Sequence, residues 1–183
     1  LNTEPLRELL AKNFPFHKVS ENIDKKFLKA LCISATNVRT TNSVTYVQDD
    51  GTFPLWKRYR RIAERQTIGI DHLMASSAIP VFFPPVQIGE RFFTDGCLRN
   101  MAPLSPAVHL GAQKIFAVGV RSHEEMSEGT IFSDEVPSIA EIAGVLLNAV
   151  FMDAIDVDIE RLKKINKIMA YMPESENQEY HWR

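Results

Sequence analysis

The chain has 183 residues, enough for about one domain. Lys plus Arg total 21 against 23 Asp plus Glu, a formal charge of −2, and that near-balance argues against a dedicated nucleic-acid binder. With 45% hydrophobic and 24% charged residues, the composition is that of an ordinary globular chain, which excludes wholesale disorder. The longest apolar stretch, Ile142 to Met152, is interrupted by Asn148 and is too short for a membrane helix. Cys32 and Cys97 make neither a disulfide framework nor a zinc spacing, so no metal is expected. The chain opens on Leu1 with no basic n-region or cleavage pattern, and the expectation is a portion of a longer polypeptide.

Thr3 to Asn13 reads as a helix, with Thr3 as cap, Pro5 in the first turn and Leu6, Leu9 and Leu10 on one face. Phe27 to Ala35 is a mostly apolar run read as a strand, and the β-branched Ser43 to Val47 is a second, closed by a hairpin-like turn at Asp49-Asp50-Gly51. Ile70 to Ala78 is a helix opened by Asp71, and the block Pro80 to Pro85 must break it. Gln87 to Thr94 is one short strand delivering Asp95-Gly96 at its end. Ser105 to Leu110 is a helix with Pro106 inside its start and Gly111 past its end, and Lys114 to Val120 is a buried strand. Ser138 to Met172 reads as one long or once-kinked helix, opened by the capping-box pair Ser138 and Glu141. Helices alternating with short strands predict an α/β sandwich with a largely parallel sheet and with chemistry in the loops beyond the strand ends. Asn37, Asp95 and Arg121 lie in such places.

Asp95-Gly96 is the sharpest local feature. A carboxylate at a strand end can accept a proton from a hydroxyl, although Asp-Gly is also a common turn pair. No serine is flanked by glycines at both second neighbours, and no two glycines are adjacent, so the chain holds neither a nucleophile elbow nor a phosphate loop. Ser76 and Ser77 fall inside a helix and read as packing residues. The histidines His17, His72, His109, His123 and His181 show no metal spacing. Cys97 follows a carboxylate that would push its thiol pKa up, and it reads with Cys32 as a small buried hydrophobe. Lys57, Arg58, Arg60, Arg61 and Arg65, interleaved with Trp56 and Tyr59, suit either an anionic surface such as lipid phosphate or a solvated face. Asp153, Asp156, Asp158 and Glu160 read as helix-surface acids, Glu160 pairing with Lys164, rather than as a metal cluster.

The segment 73–121, with ASSAIPVFFPPV, a strand ending in Asp95-Gly96, NMAPLSPAVHLGA and KIFAVGVR, strongly resembles the C-terminal half of the patatin-like phospholipase family, in particular its bacterial members. TEPLRELL and LCISATNVRT upstream, and VDIERLKKIN downstream, extend the resemblance over most of residues 3–170. It implies a three-layer α/β/α sandwich and a Ser–Asp dyad acting without histidine or cofactor. The family's Asp-Gly-Gly or Asp-Gly-Ala motif falls on Asp95-Gly96, with Cys97 departing from it at the third position. The resemblance therefore implies that Asp95 is the proton acceptor, and that the serine elbow and oxyanion loop precede Leu1.

Ile79, Phe82 and Phe83 become candidates for lining an acyl pocket or meeting a membrane surface, set against a plain buried connection. The expected substrate is a lipid or other acyl ester, with no nucleic acid. The fold is expected to be completed by an N-terminal half or by self-association. Two rivals remain: a patatin-like domain that binds or scaffolds lipid without catalysis, and a nucleotide-binding α/β domain, which the lack of a Gly-rich loop disfavours.

Overall fold

The computed structural model describes residues 2–99, 103–118 and 154–171, together with Ser138, Ile139, Ile142, Gly144 and Val145. In chain order the elements are α1 (Glu4–Asn13), α2 (His17–Asp24), β1 (Ala30–Asn37), β2 (Ser43–Asp49), β3 (Lys57–Arg58) and β4 (Arg61–Arg65). They continue with α3 (Ile70–Ser76), β5 (Val86–Ile88), β6 (Arg91–Asp95), a 3-10 turn (Gly96–Leu98), α4 (Ser105–His109) and α5 (Ala154–Met169).

The six strands form one mixed sheet in the order β3-β4-β2-β1-β6-β5. This is an α/β architecture, but the expected largely parallel sheet is corrected. Only β2 and β4 run parallel, and the other four pairings are antiparallel. The reason is local: β1 and β2 are joined by a short turn at residues 38–42, and β3–β4 and β5–β6 are tight hairpins, connections too short for a parallel crossover. The stretch Gln87 to Thr94, read as one strand, is the β5–β6 hairpin, because Gly89 at φ +60° turns the chain between the partners Ile88 and Arg91. The turn after Asp49 does not return β2 on itself; the chain loops out and comes back as β4, parallel to β2.

Lys114 to Val118 forms no strand, and Phe116 is 92% exposed, so the expected buried strand is corrected there, while 119–120 lie outside the described residues. Of the expected helix 138–172, residues 154–169 form α5 and Ile139, Ile142, Gly144 and Val145 are helical. Ser138, Ala170 and Tyr171 are not helical, and positions 140–141, 143, 146–153 and 172 lie outside the described residues. Among the described residues no helix is long and apolar enough to cross a membrane.

The register aligns Ala35 with Val44, Ile33 with Tyr46 and Asn37 with Phe93, placing one apolar row on a single face of the sheet. Ala75 of α3 and Ile68 before it complete that core, with Phe16 packed against its edge. Tyr46 and Phe93 are wholly buried and meet edge to face at 5.6 Å, and large side chains of this kind each contribute about 1.5–3 kcal/mol. Arg91 on β6 makes a bidentate pair with Glu64 on β4, at 2.7 and 2.5 Å. In the sheet order β2 and β1 separate those two strands, so the pair spans two intervening strands.

His72 shows how α3 is fixed. Its Nδ1 accepts a hydrogen bond from the Gly69 N–H at 3.0 Å, satisfying a free donor at the helix start, and its ring meets Tyr46 edge-on. Burial holds the His72 pKa below the ordinary 6.5, and a lone pair engaged by an N–H also favours the neutral ring. The unfolded chain therefore takes up more protons as pH falls through 6.5, so the stability contributed by neutral His72 is present above that pH and lost below it. Urea unfolding is expected to show stability falling between about pH 7 and 5.5. His72→Gln is expected to be less stable at pH 7 and to have a shallower slope, the residue of the slope belonging to His109, which burial and the nearby Arg58 and Arg61 also hold low. An unchanged slope in the variant would contradict the assignment.

Candidate active site

Asp95 ends β6 opposite Ala35 and is only 7% exposed. Its backbone N–H donates to the Ala78 carbonyl at 2.9 Å, and the Thr94 hydroxyl donates to the same oxygen at 2.6 Å. The end of β6 is thereby tied to the chain leaving α3. The Asp95 carboxylate accepts from the Cys97 N–H at 2.8 Å, so the residue caps the 3-10 turn that follows it. Burial pushes its carboxyl above the ordinary 3.8, and the Cys97 N–H only partly offsets the rise.

Gly96 makes this geometry attainable. A Cβ built on it would lie 2.3 Å from the Ser34 carbonyl oxygen and 2.9 Å from its carbon, both backbone atoms of β1. The glycine answers a close approach between chains, not an unusual φ. Cys97 is exposed as a residue, but its thiol is turned to the Asp95 carboxylate. Burial, and then the carboxylate's charge, push it up to about 11, so it carries no thiolate at neutral pH and is no nucleophile.

Near the end of β6 opens a groove of about 500 Å³, and Asp95 is not among the residues that line it. Its walls are Thr36, Asn37 and Val38 at the end of β1, Thr41 in the following turn, the segment Pro80, Val81, Phe83 and Pro85, and Thr94, Leu98 and Arg99 flanking Asp95. Of the three candidate pocket residues, Phe83 lines it. Phe82, 45% exposed, and the half-buried Ile79 are not among its lining residues. Asn37 lies on the groove, but its Oδ1 is occupied by the backbone N–H groups of Arg39 and Thr40, which shapes the turn. Arg121, His123 and His181 lie outside the described residues.

The Ser77 hydroxyl donates to the Leu73 carbonyl at 2.9 Å and is spent within α3. Among the described residues no three metal-ligating side chains converge. Asp158, taken from sequence as a helix-surface acid, is 4% exposed and accepts from the Leu104 N–H at 2.9 Å, fastening α5 to the start of α4. Thr36, Thr94 and Arg99 were not legible as groove residues. The signal that unites them is the pairing of β1 with β6, which sequence periodicity does not reveal.

A buried, strand-end carboxylate close to a partly apolar groove marks a candidate site for proton transfer. The model of the patatin-like phospholipase family matches residues 1–108, more than half of the chain, and the chain belongs to that family. No curated protein and no solved structure matches it. The matched span includes Asp95, Gly96, Cys97 and the whole groove. Membership places the chain among lipid acyl hydrolases at the level of reaction class, with lipids as the substrate class.

Because the Ser34 backbone cannot yield cheaply, Gly96→Ala is expected to cost about 3 kcal/mol in urea unfolding. Cys97→Ala, at an exposed position, is expected to be close to neutral. Equal stabilities for the two variants would contradict the close-approach account.

Proposed function

We propose that the chain supplies the acid half of a Ser–Asp dyad, in which Asp95 serves a serine carried by polypeptide outside residues 1–183. The serine Oγ attacks the ester carbonyl carbon as Asp95 takes its proton. The tetrahedral adduct collapses, the C–O bond to the alcohol breaks, and Asp95 returns the proton to the departing oxygen. Water then repeats the sequence on the acyl-serine, with Asp95 again accepting and returning one proton. The single observation that carries this reading is the buried carboxylate of Asp95, held by one backbone N–H and made more basic than a solvent-exposed aspartate. Its ionised form is the one that can act as the base.

The groove supports an acyl-chain site, with Phe83 and Pro85 as the apolar wall. Within the sequence no serine has the elbow pattern, which is why the nucleophile is assigned elsewhere. We propose further that Lys114 to Val118, strand-like in sequence yet exposed, is covered by that other polypeptide or by a second copy.

The test is hydrolysis of a short-chain nitrophenyl ester. Residues 1–183 alone are expected to be inactive, and joined to the polypeptide bearing the serine they are expected to turn over. Asp95→Asn in the active form is expected to lose about 100- to 10,000-fold in kcat. The acid limb of kcat/KM is expected to fall above the ordinary 3.8 of a free aspartate, because ionised Asp95 is the active form and its pKa is raised. Robust turnover by 1–183 alone, or by Asp95→Asn, would overturn the assignment.

A further inference from the structure

The basic stretch around Tyr59 is the β3–β4 hairpin. Arg58 pairs with Arg61, leaving Tyr59 and Arg60 as a two-residue tip with Arg60 at φ +57°. Tyr59 is 85% exposed, and the Arg60 guanidinium lies 5.1 Å from its ring centroid. The base of the hairpin is braced by Trp56, which stacks on His109 of α4 at 4.8 Å.

Topology puts this tip at the same end of the sheet as the groove. The Arg60 carbonyl accepts from the Ser43 N–H at 2.9 Å, Arg61 is the register partner of Ser43, and Ser43 faces Thr36 on β1. The groove walls Asn37, Val38 and Thr41 therefore lie next to the hairpin, and Val81 stands on the opposite groove wall. Val81 is 98% exposed and held at φ +72°, an uncommon conformation for a β-branched residue. Val38 and Phe82 are exposed as well.

The exposed charge at this end is mostly basic. Residues 36–48, 54–63, 77–89 and 96–99 contain no Asp or Glu, and the acids between the last two of these segments are Glu90 at the β5–β6 turn and the buried Asp95. Asp49 and Asp50 sit at the far end of β2, paired with Arg65 and Lys26. Cations surrounding exposed aromatic and aliphatic side chains match a surface that is anionic at its headgroups and apolar beneath.

We infer that this end of the sheet, with Lys57, Arg60 and Arg61 around Tyr59, Val38 and Val81, is a docking face for an anionic lipid bilayer. Tyr59, Val81 and Phe82 enter the headgroup boundary while the cations meet lipid phosphates, and the mouth of the groove is turned to the membrane. The inference stands apart from the role of Asp95, because adsorption is read without turnover.

The test is sedimentation of the full chain with vesicles of phosphatidylcholine alone or mixed with phosphatidylglycerol. Binding is expected to the mixed vesicles only, and to weaken with added salt. Lys57→Gln combined with Arg60→Asn, Asn being tolerant of the left-handed turn, is expected to weaken it about 30-fold. Lys18→Gln combined with Lys25→Gln removes two charges on and just after α2, near the acidic end, and is expected to change it by no more than about 2-fold. If circular dichroism shows the hairpin variant unfolded, Tyr59→Ser carries the test, with a several-fold loss expected. Equal loss in both charge pairs, equal binding to neutral vesicles, an unaffected hairpin variant, or binding of a single-stranded oligonucleotide that vesicles fail to displace would each overturn the inference.

Discussion

One backbone approach organises the candidate site. Gly96 runs past the Ser34 carbonyl closer than any side-chain-bearing residue could, which brings the end of β6 hard against β1. With that contact made, Asp95 is buried, its N–H reaches the Ala78 carbonyl, and its carboxylate turns back to the Cys97 N–H. A looser approach would admit water to the carboxylate and return it to ordinary acidity. The proposed proton transfer thus depends on a steric fact one residue removed from the group that performs it.

Much of this was legible in the sequence. The first helix with Pro5 in its opening turn, the β-branched second strand, the helix stopped before Pro80 and the Asp-Gly pair at a strand end all follow from local rules, and the structure places them within a few residues of where those rules put them. Pairing was not legible. Gln87 to Thr94 reads as one strand because Gly89-Glu90 interrupts it only briefly, and strand direction is set by which segments meet, which no single-segment pattern encodes. Lys114 to Val118 has strand composition without a strand partner among the described residues, since composition registers a tendency to be buried and not the neighbour that does the burying. Of the site itself, Asp95 was visible as a residue type at a strand end. The nearby groove was not, because Thr36, Thr94 and Arg99 come together only through the β1–β6 register.

A net charge of −2 also conceals how the charges are arranged. Asp49, Asp50 and Glu64 meet Arg65, Lys26 and Arg91, while the exposed charge of the hairpin and groove end, Glu90 apart, is basic and set among exposed apolar side chains. The arrangement suits a family whose substrates are lipids, since such substrates are presented at an interface rather than free in water.

The most direct measurement is labelling with a fluorophosphonate, which reacts only with an activated serine, followed by mass spectrometric location of the adduct. On a polypeptide that joins the proposed serine to this chain, a single phosphonylated serine outside residues 1–183 is expected, formed far more slowly when Asp95 is replaced by Asn. An adduct on a serine within residues 1–183, or labelling that proceeds undiminished without the Asp95 carboxylate, would contradict it.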